Sequence, residues 1–327
     1  MIPACFSQPN TLPSSSQVPD PQNLITCIYQ TQLCGSPSYL TLTWSKTLFS
    51  HSLTIYAADS FSITISLSPS TFSFFRTRPG SKSMYLTRSH CQRIKLYWDF
   101  TRAEFTSNSA EPESCFYVAI SWDTKLEFFL GDLVDELTRR SGLVMTRQLR
   151  EPALLSRREH VFGRRNYVSR AQFLGTKHEF GIEYCSGGVL KVKVDGEISL
   201  VIKRLAWKFR GNEKFYVGGI EVEFFWDVFN WVNDNNGNGH GVFVFQVGDG
   251  GVWPDMVGPE KRLMKKSLSS SPVSGTIPSP STPSCSSVLQ WAEENSDGGR
   301  SSCSSSIRSC GSNGGGFSLL LYAWRKD

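Results

Sequence analysis

The stretch 189–233 constrains the fold more than any other part of the chain. It reads VLKVKVDGEISLVIKRLAWKFRGNEKFYVGGIEVEFFWDVFNWVN. It is dense in β-branched and aromatic residues, and it alternates apolar with polar positions, the periodicity of half-buried strands. Leu190 and Val192 share one face, with Lys191 and Lys193 on the other. Beyond Asp195-Gly196, the residues Ile198, Leu200 and Ile202 again share a face. A two-residue Asp-Gly turn would set Lys193 beside Ile198 and mix the faces. A three-residue loop, Val194-Asp195-Gly196, would place Val192 against Ile198, Leu190 against Leu200 and Lys193 against Glu197. Burial sets register, so the three-residue loop is expected.

The pattern then changes phase twice. Leu205, Trp207 and Phe209 are odd-numbered where Ile198, Leu200 and Ile202 are even, so an extra residue is expected near Lys203-Arg204. Phe215 and Val217 are odd, whereas Ile220, Val222, Phe224 and Trp226 are even, which places a second bulge at Gly218-Gly219. Two bulges in neighbouring strands predict a coiled sheet, closed as a barrel or folded as a two-sheet sandwich. Trp207, Phe209, Phe215, Val222, Phe224 and Trp226 are the expected core.

The rest of the chain repeats the strand signal in short runs separated by turn residues. Strands are expected at 24–32, 39–45, 52–57, 61–67, 71–76, 93–100, 116–122, 125–130, 167–174, 179–185 and 242–247. One short helix is expected at 133–140. Asp132 would cap it, Asp135 and Glu136 lie in its first turn, Arg139 and Arg140 in its last, and Gly142 would stop it. Residues 1–22 are rich in Ser, Pro and Gln and are expected to be disordered. The β domain spans 23–266. A Ser/Pro/Gly-rich insertion at 267–316 is expected to be disordered as well. The segment 317–327 then returns as an apolar strand, FSLLLYAW at its start, which should dock back on the β domain. The fold class is therefore all-β, an antiparallel meander of about a dozen strands.

Composition excludes several classes. Aromatic content is 13%, with 22 Phe and nine Trp, enough for a sizeable core. Net charge is +5, too weak by itself to mark a nucleic-acid binder. The nine cysteines are odd in number and scattered, and no CxxC pair signals a zinc site or a redox motif. They read as reduced thiols of an intracellular protein, cytoplasmic or nuclear. The first 22 residues carry no Lys or Arg and no apolar run, so no secretory signal is read there. No run of about 18 apolar residues predicts a membrane span. No metal and no cofactor are expected.

Several phrases together resemble a known family. They are SLSPSTFSFF (66–75), SAEPES (109–114), LLSRREHVFGRR (154–165), FYVGGIEVEFFWDVFNWV (215–232) and VWPDMVGPEKRLMKK (252–266), with the terminal LLLYAWRKD. The combination is similar to a plant-specific family of uncharacterised proteins, domain of unknown function 868. The resemblance covers about 23–266 and the last strand. It implies a plant source and a single domain, and it carries no catalytic residue across.

Candidate chemistry is sparse. Glu221 and Glu223 are two apart on an expected strand, so their carboxylates share a face about 6–7 Å apart. That is near the span used by retaining glycosidases, and Asp227 lies close by. The plainer reading is a solvated face paired with Lys203, Lys208 or Arg210. Gly80-Ser81-Lys82-Ser83 echoes the end of a phosphate loop but lacks its first glycine. Gly248-Asp249-Gly250-Gly251 offers one carboxylate and reads as a turn. The best lead is a basic loop with Arg147, Arg150, Arg157, Arg158, Arg164, Arg165 and Arg170. Arginine forks suit phosphate, so an anionic partner or a phospholipid could be held there; the plainer reading is salt bridges with Glu151 and Glu159. KRLMKK (261–266) and the Ser-Pro steps after it suit nuclear import and phosphorylation. Three functions follow from these features. They are a non-catalytic binding or interaction module, a carrier of an apolar molecule or lipid in a barrel, and a carbohydrate-active enzyme centred on Glu221 and Glu223.

Overall fold

The computed structural model describes residues 23–325, apart from 58–59, 68–77, 87–92, 107–108, 144–151, 174, 234–238 and 249–315. The chain opens with a meander of four strands, β1 (Asn23–Leu33), β2 (Ser36–Lys46), β3 (His51–Ala57) and β4 (Phe61–Ser66). A second meander follows as a sheet of its own: β5 (Gly80–Tyr85), β6 (Arg93–Asp99), β7 (Tyr117–Trp122) and β8 (Lys125–Gly131). Then come helix α1 (Val134–Ser141) and strand β9 (Ala153–Gly163). A third sheet holds β10 (Asn166–Phe173), β11 (Thr176–Cys185), β12 (Val189–Val194) and β13 (Glu197–Ile202). The chain closes with β14 (Arg210–Val217), β15 (Ile220–Asp227), helix α2 (Phe229–Asn233), β16 (His240–Val247) and β17 (Phe317–Arg325).

The first meander and the last strands join in one nine-stranded sheet, in the order β14-β15-β16-β17-β9-β1-β2-β3-β4. Its neighbours are antiparallel except β17 and β9, which run parallel. The two four-stranded sheets pack on different parts of it. The sheet β5–β8 covers β1–β4, and Trp44, Phe100, Phe116 and Phe128 fill the space between. The sheet β10–β13 covers the part running from β14 to β9. There Phe180, Phe224, Phe243 and Phe245 interlock with Leu319 and Leu321. The molecule is thus two sandwiches side by side on one sheet, with β9 at the seam. All three sheets are open, so the all-β class and the sandwich packing hold while the barrel alternative does not.

The terminal strand docks back as its apolar sequence predicts. β17 fills the slot between β16 and β9, with Leu319 opposite both Phe245 and Arg157. The helix also falls where expected, ended by Gly142 in the left-handed conformation. Its N-terminus differs, because Asp132 does not cap it: the carboxylate accepts instead from Cys115 N (2.9 Å) and Phe116 N (3.0 Å). The second helix was not expected. Asp227 Oδ1 accepts from Phe229 N (3.0 Å), which turns the chain into α2 where the aromatic pattern reads as more strand. The expected strand 71–76, KRLMKK and the two expected disordered segments, Gly316 excepted, lie outside the described residues.

Three expectations in the stretch 189–233 are corrected. The β12–β13 hairpin uses the two-residue turn, with Asp195 and Gly196 both at positive φ (51° and 85°). Lys193 does pair with Ile198, and a bulge one pair further on restores Val192 opposite Leu200 and Leu190 opposite Ile202. Ile198 is therefore left 54% exposed. At Gly218-Gly219 there is no bulge; the pair is the turn of the β14–β15 hairpin, with φ of 55° and 83°. Near Lys203-Arg204 the chain leaves one sheet for another through the loop 203–209.

That loop reverses the expectation for Trp207. Phe215, Val222, Phe224 and Trp226 are buried, and Phe209 packs partly into the same core. Trp207 is 86% exposed. Trp207 N and Lys208 N both donate to Arg204 O (2.9 and 3.0 Å), so the segment is a tight turn in which strand alternation fails. Leu205 and Phe209 point inward and Trp207 stands at the apex. A Trp207→Ala variant is expected to change unfolding free energy by no more than about 0.5 kcal/mol, the usual range for surface sites. A urea titration showing a loss of about 3 kcal/mol, typical of a buried Trp, would place the side chain in the core after all.

Candidate functional site

The described part of the arginine-rich segment is mostly strand. Residues 153–163 form β9, and the charged residues SRREH lie in the middle of the sheet. Arg157 projects into the seam between the two sandwiches. Its Nη1 donates to Glu111 Oε2 (2.5 Å), its Nε to Glu159 Oε2 (3.3 Å), and Nη1 lies 3.5 Å from Cys27 Sγ. Ser169 Oγ, on β10, donates to Glu159 Oε2 (2.6 Å). Burial pushes the Glu159 carboxyl up, against the pull of Arg157 and Ser169. Burial likewise pushes the Cys27 thiol up to about 12, which makes it a poor nucleophile and a poor metal ligand. The cluster joins the loop before β7 to β9 and β10, with Arg157 set between the two carboxylates. Arg158 is buried on the opposite face of β9.

The other expected arginines are spread along the chain. Arg147 and Arg150 lie outside the described residues. Arg170 is exposed and bonds Glu179 Oε2 (3.0 Å), with Glu113 Oε1 at 3.7 Å. Arg164 and Arg165 are exposed in the β9–β10 turn. The five described arginines do not share one surface, because β9 buries Arg157 and Arg158 and its turn carries Arg164 and Arg165 to the end of the sheet.

Glu221 and Glu223 lie on β15, facing β14. Lys214 Nζ donates to Glu221 Oε1 (2.7 Å), and Asn212 Nδ2 donates to Glu223 Oε1 (3.3 Å). The Lys214 hydrogen bond holds the Glu221 carboxyl below its usual range. A glycosidase acid needs the opposite shift. Arg210, one of the expected partners of this face, bonds Asp227 Oδ2 (2.8 Å) instead.

One constellation was invisible in the sequence. His178 Nδ1 donates to Asp195 Oδ2 (2.7 Å), and His178 Nε2 lies 3.0 Å from Thr176 Oγ1. Hydroxyl, imidazole and carboxylate stand in the order used for acyl transfer. Thr176 Oγ1 also donates to Phe173 O (3.2 Å), and Asp195 Oδ1 accepts from Glu179 N (2.9 Å). These bonds tie the β10–β11 turn to the β12–β13 turn, a bracing role that accounts for all three residues. Their separation in sequence hides the grouping until the hairpins are placed. Among the described residues, no group of three or more His, Cys, Asp or Glu is placed to hold a metal ion.

The opposite end of the same sandwich is where surface charge gathers. The β9–β10 turn, the β11–β12 turn, the loop 203–209 and the end of β15 all lie there, as the antiparallel register requires. Backbone hydrogen bonds tie them together: Tyr184 N donates to Arg165 O (2.8 Å), Leu205 N to Gly188 O (3.0 Å) and Val228 N to Phe209 O (2.8 Å). Trp226 Nε1 donates to Lys208 O (2.9 Å), which anchors the loop to the core. Lys203, Arg204 and Lys208 are exposed on the same loop as Trp207, with Arg164 and Arg165 across the sheet end, on the turn into the opposite edge strand β10. The end of β17 adds Arg325, whose guanidinium lies 5.6 Å from the Tyr184 ring centre. Asp227 is matched to Arg210, and Glu183, further along β11, to Lys193 (2.6 Å). The segment KRLAWKFR carried the signal in the sequence, as cations interleaved with aromatics, but strand alternation made Trp207 a core residue.

Fold and site together define an all-β, multi-sheet protein with a basic, aromatic-tipped end. Residues 20–325 match the family described as plant protein of unknown function (DUF868), and the chain belongs to that family. No curated protein and no solved structure matches the chain.

Proposed function

We propose that this chain is a non-catalytic binding module whose contact surface is the basic end of its C-terminal sandwich. The observation that carries the reading is Trp207, 86% exposed at the apex of an anchored loop that also exposes Lys203, Arg204 and Lys208. A large aromatic side chain left in water among cations is the composition of a contact site, since Trp and Arg dominate binding energy where they are buried by a partner. The partner is anionic. Arg164 and Arg165, from the arginine-rich segment, belong to this surface, and Arg157 belongs to the interior.

The test is sedimentation of the tagged full chain in a plant-cell extract. The wild type is expected to travel with larger material. A Lys203→Glu/Arg204→Glu/Lys208→Glu variant with an unchanged melting temperature should travel as the free chain. Identical profiles for the two proteins would remove this end of the molecule from the function.

A further inference from the structure

The chemistry of the same surface narrows the partner further, and this step rests on the reading just given. We infer that the basic end docks on an anionic phospholipid bilayer, with Trp207 entering the headgroup region.

The argument begins with how little of the protein touches Trp207. At 86% exposure, the indole has almost no protein wall against it. An occupant that buries it must therefore bring its own apolar phase. A bilayer does so, beneath a layer of headgroups, and Trp is the side chain most at home at that boundary, with its ring in the interface and its N–H hydrated. The neighbours of Trp207 suit the same placement. Ala206 beside it is exposed, and Val201 is exposed on the outer face of β13 just before the loop.

Charge supplies the second half. Lys203, Arg204 and Lys208 flank the apex, and Arg164 and Arg165 add charge at the same end of the sandwich, on the turn entering the opposite edge strand, β10. The carboxylates described nearby, Asp227 and Glu183, are already paired with Arg210 and Lys193. Each Lys or Arg close to an anionic leaflet raises binding by about fivefold. Long stems let these side chains keep their charges among the phosphates while the apex sinks.

The loop is also built to enter an interface without unfolding. Leu205 plugs the sandwich core, and the Lys208 and Phe209 carbonyls are held by Trp226 and Val228. The apex is thus presented on a fixed frame and little order must be gained on docking. Nucleic acid fits less well. Single strands are held by several aromatic platforms along a groove, whereas this end offers one apical Trp. The Phe209 and Phe229 rings beside it meet edge to face (5.2 Å, 63°), with Arg210 near both.

The deciding experiment is co-sedimentation of the purified full chain with phosphatidylcholine vesicles, with and without about one-third phosphatidylserine. The wild type is expected to pellet with the anionic vesicles, and to be released as NaCl rises from about 0.05 to about 0.5 M. Lys203→Glu/Arg204→Glu/Lys208→Glu should weaken binding by at least about 100-fold, and Trp207→Ala by roughly tenfold. Near-UV circular dichroism and melting confirm that each variant is folded. Three outcomes would overturn the bilayer: no pelleting of the wild type, pelleting that ignores salt, or folded variants that bind as the wild type does. Loop-dependent binding to a single-stranded RNA in place of vesicles would overturn it too. If the loop governs sedimentation in the extract while purified vesicles go unbound, the bilayer falls and the binding module stands. If the loop governs neither, both fall.

Discussion

Replacing Arg157 by Leu is expected to destabilise the fold by about 3–5 kcal/mol, the usual cost of breaking a buried ion pair from one side. Arg157 is the guanidinium between Glu111 and Glu159, and removing it leaves two carboxylates facing each other in the seam. The loss should depend on pH with a definite sign. Burial already raises the Glu159 carboxyl above its unfolded value, and without Arg157 it rises further. A carboxyl raised in the folded state favours folding below its unfolded pKa of about 4.3, and that contribution is lost as pH climbs towards the raised value. The variant should therefore be closer to wild type at pH 5 than at pH 8. Replacing Arg157, Glu111 and Glu159 together by apolar residues should recover much of the loss, because none of the seam's three charges is then left unpaired. Urea titrations at both pH values decide it. A loss below about 1 kcal/mol, or one equal at both pH values, would show that water reaches the seam.

Deleting β17 is expected to abolish folding. The strand contributes Phe317, Leu319, Leu321 and Ala323 to the core of the C-terminal sandwich. At about 1.5–3 kcal/mol for each large side chain, that burial is comparable with the whole net stability of a domain, about 5–15 kcal/mol. The deletion also exposes the edges of β16 and β9 in the middle of the sheet, an invitation to aggregate. Excising 269–315 should be tolerated, since closure entropy changes by only about 0.6 kcal/mol for each doubling of loop length. Expression, solubility and a cooperative melt are the readouts. A soluble β17-deleted protein melting like the full chain would mean that the two sandwiches do not need their shared sheet.

Most strands were legible because half-buried strands alternate, and α1 was legible because its charges and Gly142 mark its ends. β9 was not. Its charges read as solvent-facing, and the partner that neutralises Arg157 on the far side is Glu111, 46 residues away. Nothing local distinguishes a buried SRREH from an exposed one. Trp207 failed for the converse reason: alternation assigns a face only while the chain is extended, and the turn at Arg204 broke it. The β12–β13 register shows a third limit. Both the loop length and a compensating bulge satisfy the apolar pairing, and the preference of Asp-Gly for the two-residue turn decided between them. For the site, Arg164 and Arg165 were in hand from the sequence. Their company with Lys203, Arg204 and Lys208 comes only from sheet topology, which brings the turns to one end.

Amide hydrogen exchange on the full chain, with and without anionic vesicles, tests the central claim most directly. Peptides covering 203–209 and 164–166 should slow on addition of vesicles. Those covering the turns at 175–176 and 195–196, at the other end of the same sandwich, should exchange as before. Protection at that far end, or on the N-terminal sandwich, with 203–209 unchanged would contradict it.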